Sequence, residues 1–167
     1  MRKKILTSML LFSTTLFAMD HSNHNMQHHN TNEVANQNSS LTIPKDAKCP
    51  VCGMFVAKYE KWIAAIKTDK ESFYFDGVKD MMKFYFNPAK YHTHSNEQIL
   101  QMNVTDYYSL ESTDAKKAYY VLGSNVYGPM GEELIPFKNE DEAKKFMTDH
   151  FGKKVVSFDE IKEEMIK

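Results

Sequence analysis

Between Lys48 and Ile166 the chain alternates short β-prone runs with helical stripes. Trp62-Ile63-Ala64-Ala65-Ile66 and Ser72-Phe73-Tyr74-Phe75 flank the polar stretch Lys67-Thr68-Asp69-Lys70-Glu71, a pattern that predicts a hairpin. Val78, Met81, Met82 and Tyr85 then fall at i, i+3, i+4 and i+7, the spacing of one helical face. Asp76 is placed to cap that helix and Asn87-Pro88 to end it. A strand-like run from about 98 to 110 completes a ββαβ order. A second set follows, with strands over 118–122 and 133–137 and a helix from about 140 to 150. That helix is introduced by Asn139 and Glu142 in capping-box spacing and followed by Gly152. Its buried stripe is Ala143, Phe146 and Met147, a strand over 154–157 closes the unit, and Phe158, Ile161 and Met165 predict a final amphipathic helix. The pattern therefore predicts an α+β fold of two related ββαβ units, 48–112 and 113–167.

The N-terminal pattern is different. Met1-Arg2-Lys3-Lys4 precedes an apolar run from Ile5 to Phe17 and the small residue Ala18, which reads as an export signal over residues 1–18. The run is shorter than the roughly 20 residues that span a bilayer, which favours a cleaved signal and a periplasmic protein over an anchor. Residues 19–47 are rich in Asn, Gln, Ser and His and poor in apolar side chains, so they are expected to form a disordered tail. Within it, His21, His24, Met26, His28 and His29 supply five nitrogen or sulfur donors in nine residues, an auxiliary metal site or a polar spacer.

Composition narrows the function. Loss of Arg2, Lys3 and Lys4 with the signal takes the formal charge from −1 to −4. Arg2 is the only arginine, and without guanidinium groups or a basic stripe nucleic acid is not an expected partner. Spacing alone identifies no Ser-His-Asp set, phosphate loop or pair of catalytic carboxylates.

Both cysteines lie in Cys49-Pro50-Val51-Cys52-Gly53-Met54. A disulfide there would close a very short loop and constrain the unfolded chain little, so chemistry explains the pair better than structure does. If the segment is extended, Cys52 and Met54 project to one side, and Gly53 lets the backbone approach closely. Thiolate beside thioether selects a soft ion, Cu(I), whereas two cysteines cannot supply a structural zinc site. Met130, in Tyr127-Gly128-Pro129-Met130-Gly131, sits in a segment that cannot be helical; packing or ligation would each explain it.

These motifs, together with Phe73-Tyr74-Phe75-Asp76-Gly77-Val78-Lys79-Asp80 and the run from Tyr120-Val121-Leu122-Gly123-Ser124 through Leu134-Ile135-Pro136-Phe137, resemble the NosL family over roughly 48–161. That family comprises accessory proteins for copper-site assembly in nitrous oxide reductase. The resemblance implies two ββαβ halves related to the organomercurial lyase fold and a Cu(I) site. By position its Cys-x-Met motif falls on Cys52 and Met54, and its Gly-x-Met-Gly methionine on Met130. It also implies a copper-enzyme recipient or membrane transporter as partner. Family members are commonly lipoproteins, and no cysteine stands near Ala18 to carry a lipid. Cys49 is additional to the minimal motif, as a ligand, a redox partner of Cys52 or an aid to metal transfer.

The competing reading is a thiol-disulfide oxidoreductase using Cys49 and Cys52, although Gly53 and the β-prone run beyond it offer no helix start to activate a thiol. Carbon–mercury cleavage, suggested by fold alone, lacks identifiable catalytic groups. His92-Thr93-His94 could chelate a metal if extended but reads more simply as solvated loop histidines. His150 suits a helix C-terminus, Asp76 reads as a cap, and Asp80 and Glu132-Glu133 read as solvated charge.

Overall fold

A computed structural model describes residues 41–93 and 96–166, and every element below belongs to one compact unit. The signal segment, and the tail up to residue 40 with its histidines, lie outside the described residues. The first hairpin forms from β1 (Ala64–Thr68) and β2 (Ser72–Phe75), with Ile66 opposite Phe73; Glu60–Trp62 is a 3-10 turn rather than the start of the strand. β3 (Ile99–Thr105) returns along the other edge of β1, placing Met102 opposite Ile66, and β4 (Ser112–Asp114) adds beyond it. The sheet order is β2-β1-β3-β4, all antiparallel. The strand expected to reach residue 110 stops at Thr105 because Asp106, fully buried, accepts the Ser109 amide at 2.7 Å and its hydroxyl at 2.8 Å, turning the chain.

Helix α1 (Val78–Phe86) packs on β1 and β2 with Val78, Met81, Met82 and Phe84 buried. Asp76 does not cap it. Gly77 holds the cap position without a side-chain bond, and Asp76 is instead fully buried. Pro88 ends α1 and opens the short helix α2 (Pro88–Tyr91), where its fixed φ suits a first helical position.

The second half repeats this connectivity. β5 (Tyr119–Leu122) is flanked by β8 (Ile135–Phe137) and β9 (Lys154–Ser157), with α3 (Glu140–Asp149) between the last two in sequence. Between β5 and β8 a small hairpin of β6 (Tyr127–Gly128) and β7 (Gly131–Glu132) carries Met130 in its turn. Asn139 caps α3 by accepting the Glu142 amide at 2.9 Å. Beyond the helix, Phe151 rather than the glycine after it takes the left-handed conformation. The predicted final helix is replaced by two 3-10 turns, Phe158–Glu160 and Glu163–Met165. The two extended residues between them, Ile161 and Lys162, let Phe158, Ile161 and Ile166 all be buried.

One buried cluster runs through both halves, joining Ile66, Phe75, Met81 and Met102 to Tyr120, Leu134, Val156 and Phe158. Tyr120, the largest fully buried side chain, satisfies its hydroxyl on the Ala115 carbonyl at 2.6 Å. A smaller cluster under α3 unites Val121, Ile135, Phe137, Ala143 and Phe146, with Trp62 and Tyr107 packed against it. Among the described residues no helix is long and apolar enough to cross a membrane.

Candidate metal centre

The cysteine segment is a closed loop, not the extended strand anticipated. Lys48 and Phe55 form an isolated β-bridge, and within it the Cys49 amide bonds the Met54 carbonyl at 2.9 Å while the Gly53 amide bonds the Cys49 carbonyl at 2.8 Å. Closing so tight a loop requires Gly53 at φ +78, which only glycine adopts without strain. Cys49 and Cys52 therefore converge through a turn, and Met54 leaves along the returning arm.

What they converge on was misread from the sequence. The Cys52 thiol donates to Asp76 Oδ1 at 3.2 Å and the Cys49 thiol to Asp80 Oδ2 at 3.6 Å. One ligand atom from each of Cys49, Cys52, Asp76 and Asp80 lies within 4.8 Å of the other three. Asp76 and Asp80 are 0% and 2% exposed, so neither is a solvated charge or a simple cap. Lys83 partly neutralises Asp80 at 3.2 Å, whereas Asp76 Oδ2, buried, has no hydrogen-bond partner among the described residues. A buried carboxylate oxygen left like that is costly unless a ligand supplies a partner. The available signal was a pair of aspartates at the start of a helical stripe, Asp76 just before α1 and Asp80 in its first turn. Solvated charge is the commoner meaning of such a pair.

Both thiols are disfavoured as thiolates. Burial pushes Cys49 up, and the Asp76 carboxylate adds to it. Burial, followed by the hydrogen bond to Asp76 and partly offset by the Met54 amide, pushes Cys52 up to about 11. A dithiol oxidoreductase needs the reverse, a thiol lowered by a helix N-terminus or a cation. The pair is free rather than disulfide-bonded.

Met54 is half-buried, and its sulfur accepts the Tyr59 hydroxyl at 3.4 Å. Met130 is 45% exposed in the β6–β7 turn. Its carbonyl accepts the Lys79 ammonium at 2.9 Å, and Lys79 lies in α1 between the two aspartates. Glu133 strengthens that attachment. Its carboxylate, 5% exposed, accepts the Lys79 amide at 2.5 Å and the Leu134 amide at 2.9 Å. It fills the space where a Gly77 side chain would stand, so any Cβ there would collide with it. Burial raises Glu133 to about 7, against the two amide bonds that favour its anion. The cysteine loop and the methionine turn are thus both attached to the first turn of α1. Of the Glu132-Glu133 pair, only Glu132 is exposed.

Of the other sequence candidates, His150 ends α3 with its ring 4.3 Å from Phe146 and Nδ1 3.3 Å from Asn125 Oδ1. His92 faces Glu71 and Glu97, and His94 lies outside the described residues.

Comparison with known proteins returns one family. A model of the NosL family matches residues 40–166. The copper-binding lipoprotein NosL of Stutzerimonas stutzeri is 28% identical over 127 residues, an alignment covering 71% of this chain and 64% of that protein. The chain thus spans somewhat less than two thirds of that relative's length. The crystal structure of the copper chaperone NosL from Shewanella denitrificans superposes with a TM-score of 0.64 at 25% identity, covering 76% of this chain and 98% of that one. The solution structure of apo-NosL from Achromobacter cycloclastes gives 0.46 at 27% identity, covering 62% and 87%.

Proposed function

The chain belongs to the NosL family, and from that premise we propose that it is a periplasmic Cu(I) carrier, exported by residues 1–18, that supplies the metal to a copper enzyme, nitrous oxide reductase by family analogy. Copper is cargo here rather than a cofactor. The ion is held by the Cys52 thiolate and the thioethers of Met54 and Met130, with Cys49 as an additional ligand or exchange partner. The supporting observation is the attachment of the cysteine loop and the Met130 turn to one short stretch of chain, Asp76 and the first turn of α1 that follows it, through Asp76, Asp80 and Lys79.

Soft sulfur suits a soft monovalent ion, and one thiolate with neutral thioethers balances its charge. Loading exchanges the Cys52 proton for copper with no change of oxidation state. Asp76 Oδ2, without a hydrogen-bond partner among the described residues, belongs to the carboxylate that accepts the Cys52 thiol before loading. Few ligands, one of them on the exposed Met130, leave the ion open to the incoming donors of a recipient protein or membrane transporter. The histidines at 21, 24, 28 and 29 with Met26 serve as an auxiliary collecting site. Residues 48–167 act as the carrier domain, built of halves 48–112 and 113–167.

Anaerobic Cu(I) titration of the reduced full chain against a competing chelator tests this reading. One tight equivalent, weakened in both Cys52→Ser and Met130→Ala, is expected; undiminished affinity in Met130→Ala would remove the third ligand. Insulin reduction that requires both cysteines would instead favour the oxidoreductase, against which the raised thiols argue.

A further inference from the structure

β2 leads from Glu71 at one end to Asp76 at the other, about 16 Å for five residues of strand. At the Glu71 end, remote from the sulfur donors, we propose a second metal site formed by Glu71, His92 and Glu97, for a borderline divalent cation of the Zn(II) class.

His92 Nε2 faces Glu71 Oε1 at 3.5 Å and Glu97 Oε1 at 3.3 Å, and the three ligand atoms lie within 4.8 Å of one another. A tetrahedral ion with ligands at its usual distances separates neighbouring donors by about 3.4 Å, a value the two observed distances bracket. Hydrogen bonding explains the arrangement less well. Nε2 has a single in-plane direction for a proton or a lone pair, yet two carboxylate oxygens approach it, both at distances long for a charge-assisted bond.

The donors are held in place by their surroundings. The Thr68 hydroxyl lies 2.5 Å from Glu97 Oε2 and accepts the Glu71 amide at 3.0 Å, so one residue holds the Glu97 carboxylate and the backbone of Glu71. That hydroxyl also keeps Glu97 below the ordinary carboxylate range, and hence anionic at neutral pH. The His92 ring stands edge-on to Phe73 at 4.8 Å, which sets its orientation. The Glu97 side chain is 8% exposed and that of Glu71 50%, so the site opens to solvent on one side. A cavity of about 40 Å³, which Thr68, His92 and Glu97 share with Phe73, Phe84 and Ile99, adjoins it.

Donor chemistry selects the ion. Two carboxylates neutralise a divalent charge, and an imidazole favours zinc-like ions over calcium or magnesium. Nitrogen and oxygen donors here, against sulfur at the cysteine loop, would sort divalent ions and Cu(I) to different sites. The sequence drew attention to His92 beside His94, but the structure supplies Glu71 and Glu97 as its neighbours.

The test is Zn(II) titration of the full chain and of its Glu71→Gln and Glu97→Gln variants, by calorimetry and thermal melting. The cysteine loop and tail histidines are common to all three proteins, so any difference reports this site. One zinc equivalent should weaken by about tenfold or more in each variant, and a zinc-induced rise in Tm should shrink with it. Equal titrations and equal Tm rises in all three would overturn the proposal, and an equal rise with Ca(II) would overturn the choice of ion class. If a variant folds poorly, the imidazole nitrogen resonances of His92 in the unsubstituted protein decide: a large Nε2 shift on adding Zn(II) is expected, and no shift would refute the site.

Discussion

The Cys52 thiol faces a carboxylate 3.2 Å away in a partly dry setting, and that placement governs its reactivity. With its pKa pushed up to about 11 it carries about a hundredfold less thiolate at neutral pH than an ordinary cysteine. Alkylation of Cys52 by iodoacetamide at pH 7.5 should therefore run ten- to a hundredfold, in rough terms, below the rate for free cysteine. Replacing Asp76 by Asn removes one of the causes of the shift and should speed the reaction. Alkylation as fast as that of free cysteine would show that burial and Asp76 do not protect the thiol. At this scale the rare residues were legible: two cysteines and a methionine within six positions, and a methionine between glycines, stand out in any reading. Asp76, Asp80 and Glu133 were not, because carboxylates are usually solvated and their burial depends on partners 24 to 54 residues away.

Among the elements, the β6–β7 hairpin depends on a buried acid. Glu133 joins it to α1, and its folded-state pKa of about 7 lies above the ordinary glutamate value of 4.5. Between those values the folded protein binds more protons than the unfolded chain, so this group's contribution should be fully present below about pH 4.5 and decline as pH rises to about 7. The loss is at most about 3 kcal/mol. Glu133→Gln retains an acceptor for both amides and should flatten that slope in urea melts; an unchanged slope would show that Glu133 is not its source. Asn139→Ala, which removes the α3 cap, should cost about 1 kcal/mol by the same measurement. The helices were readable because each shows a 3.6-residue stripe, Val78, Met81 and Met82 in one and Ala143 and Phe146 in the other. The two-residue strands β6 and β7 are too short to show a period, and the 3-10 turns at Phe158 and Glu163 share their i, i+3 spacing with a helix.

For the whole molecule, the repeated connectivity does not mean two independent folding units. The main core cluster contains side chains from both sheets, and Asp106 in the first half accepts the Lys138 amide of the second at 2.7 Å. Trp62, the only tryptophan, extends from the first half to pack against the α3 cluster. Denaturation followed by Trp62 fluorescence and by far-ultraviolet circular dichroism should give coincident transitions, and separate midpoints would indicate halves that unfold alone. Asp106→Ala should lower stability by about 2–3 kcal/mol, through amides left unpaired on both sides of the junction.

Under the proposed function this junction matters to copper because Met130 belongs to the second half, and its carbonyl is bonded to Lys79, beside the aspartates that meet the cysteines. The most direct measurement is X-ray absorption at the copper edge on the protein loaded anaerobically with one equivalent of Cu(I), compared with Met130→Ala loaded in the same way. A copper shell of sulfur alone that loses one sulfur in the variant is the predicted result. A shell dominated by nitrogen or oxygen, or one identical in the two proteins, would contradict it.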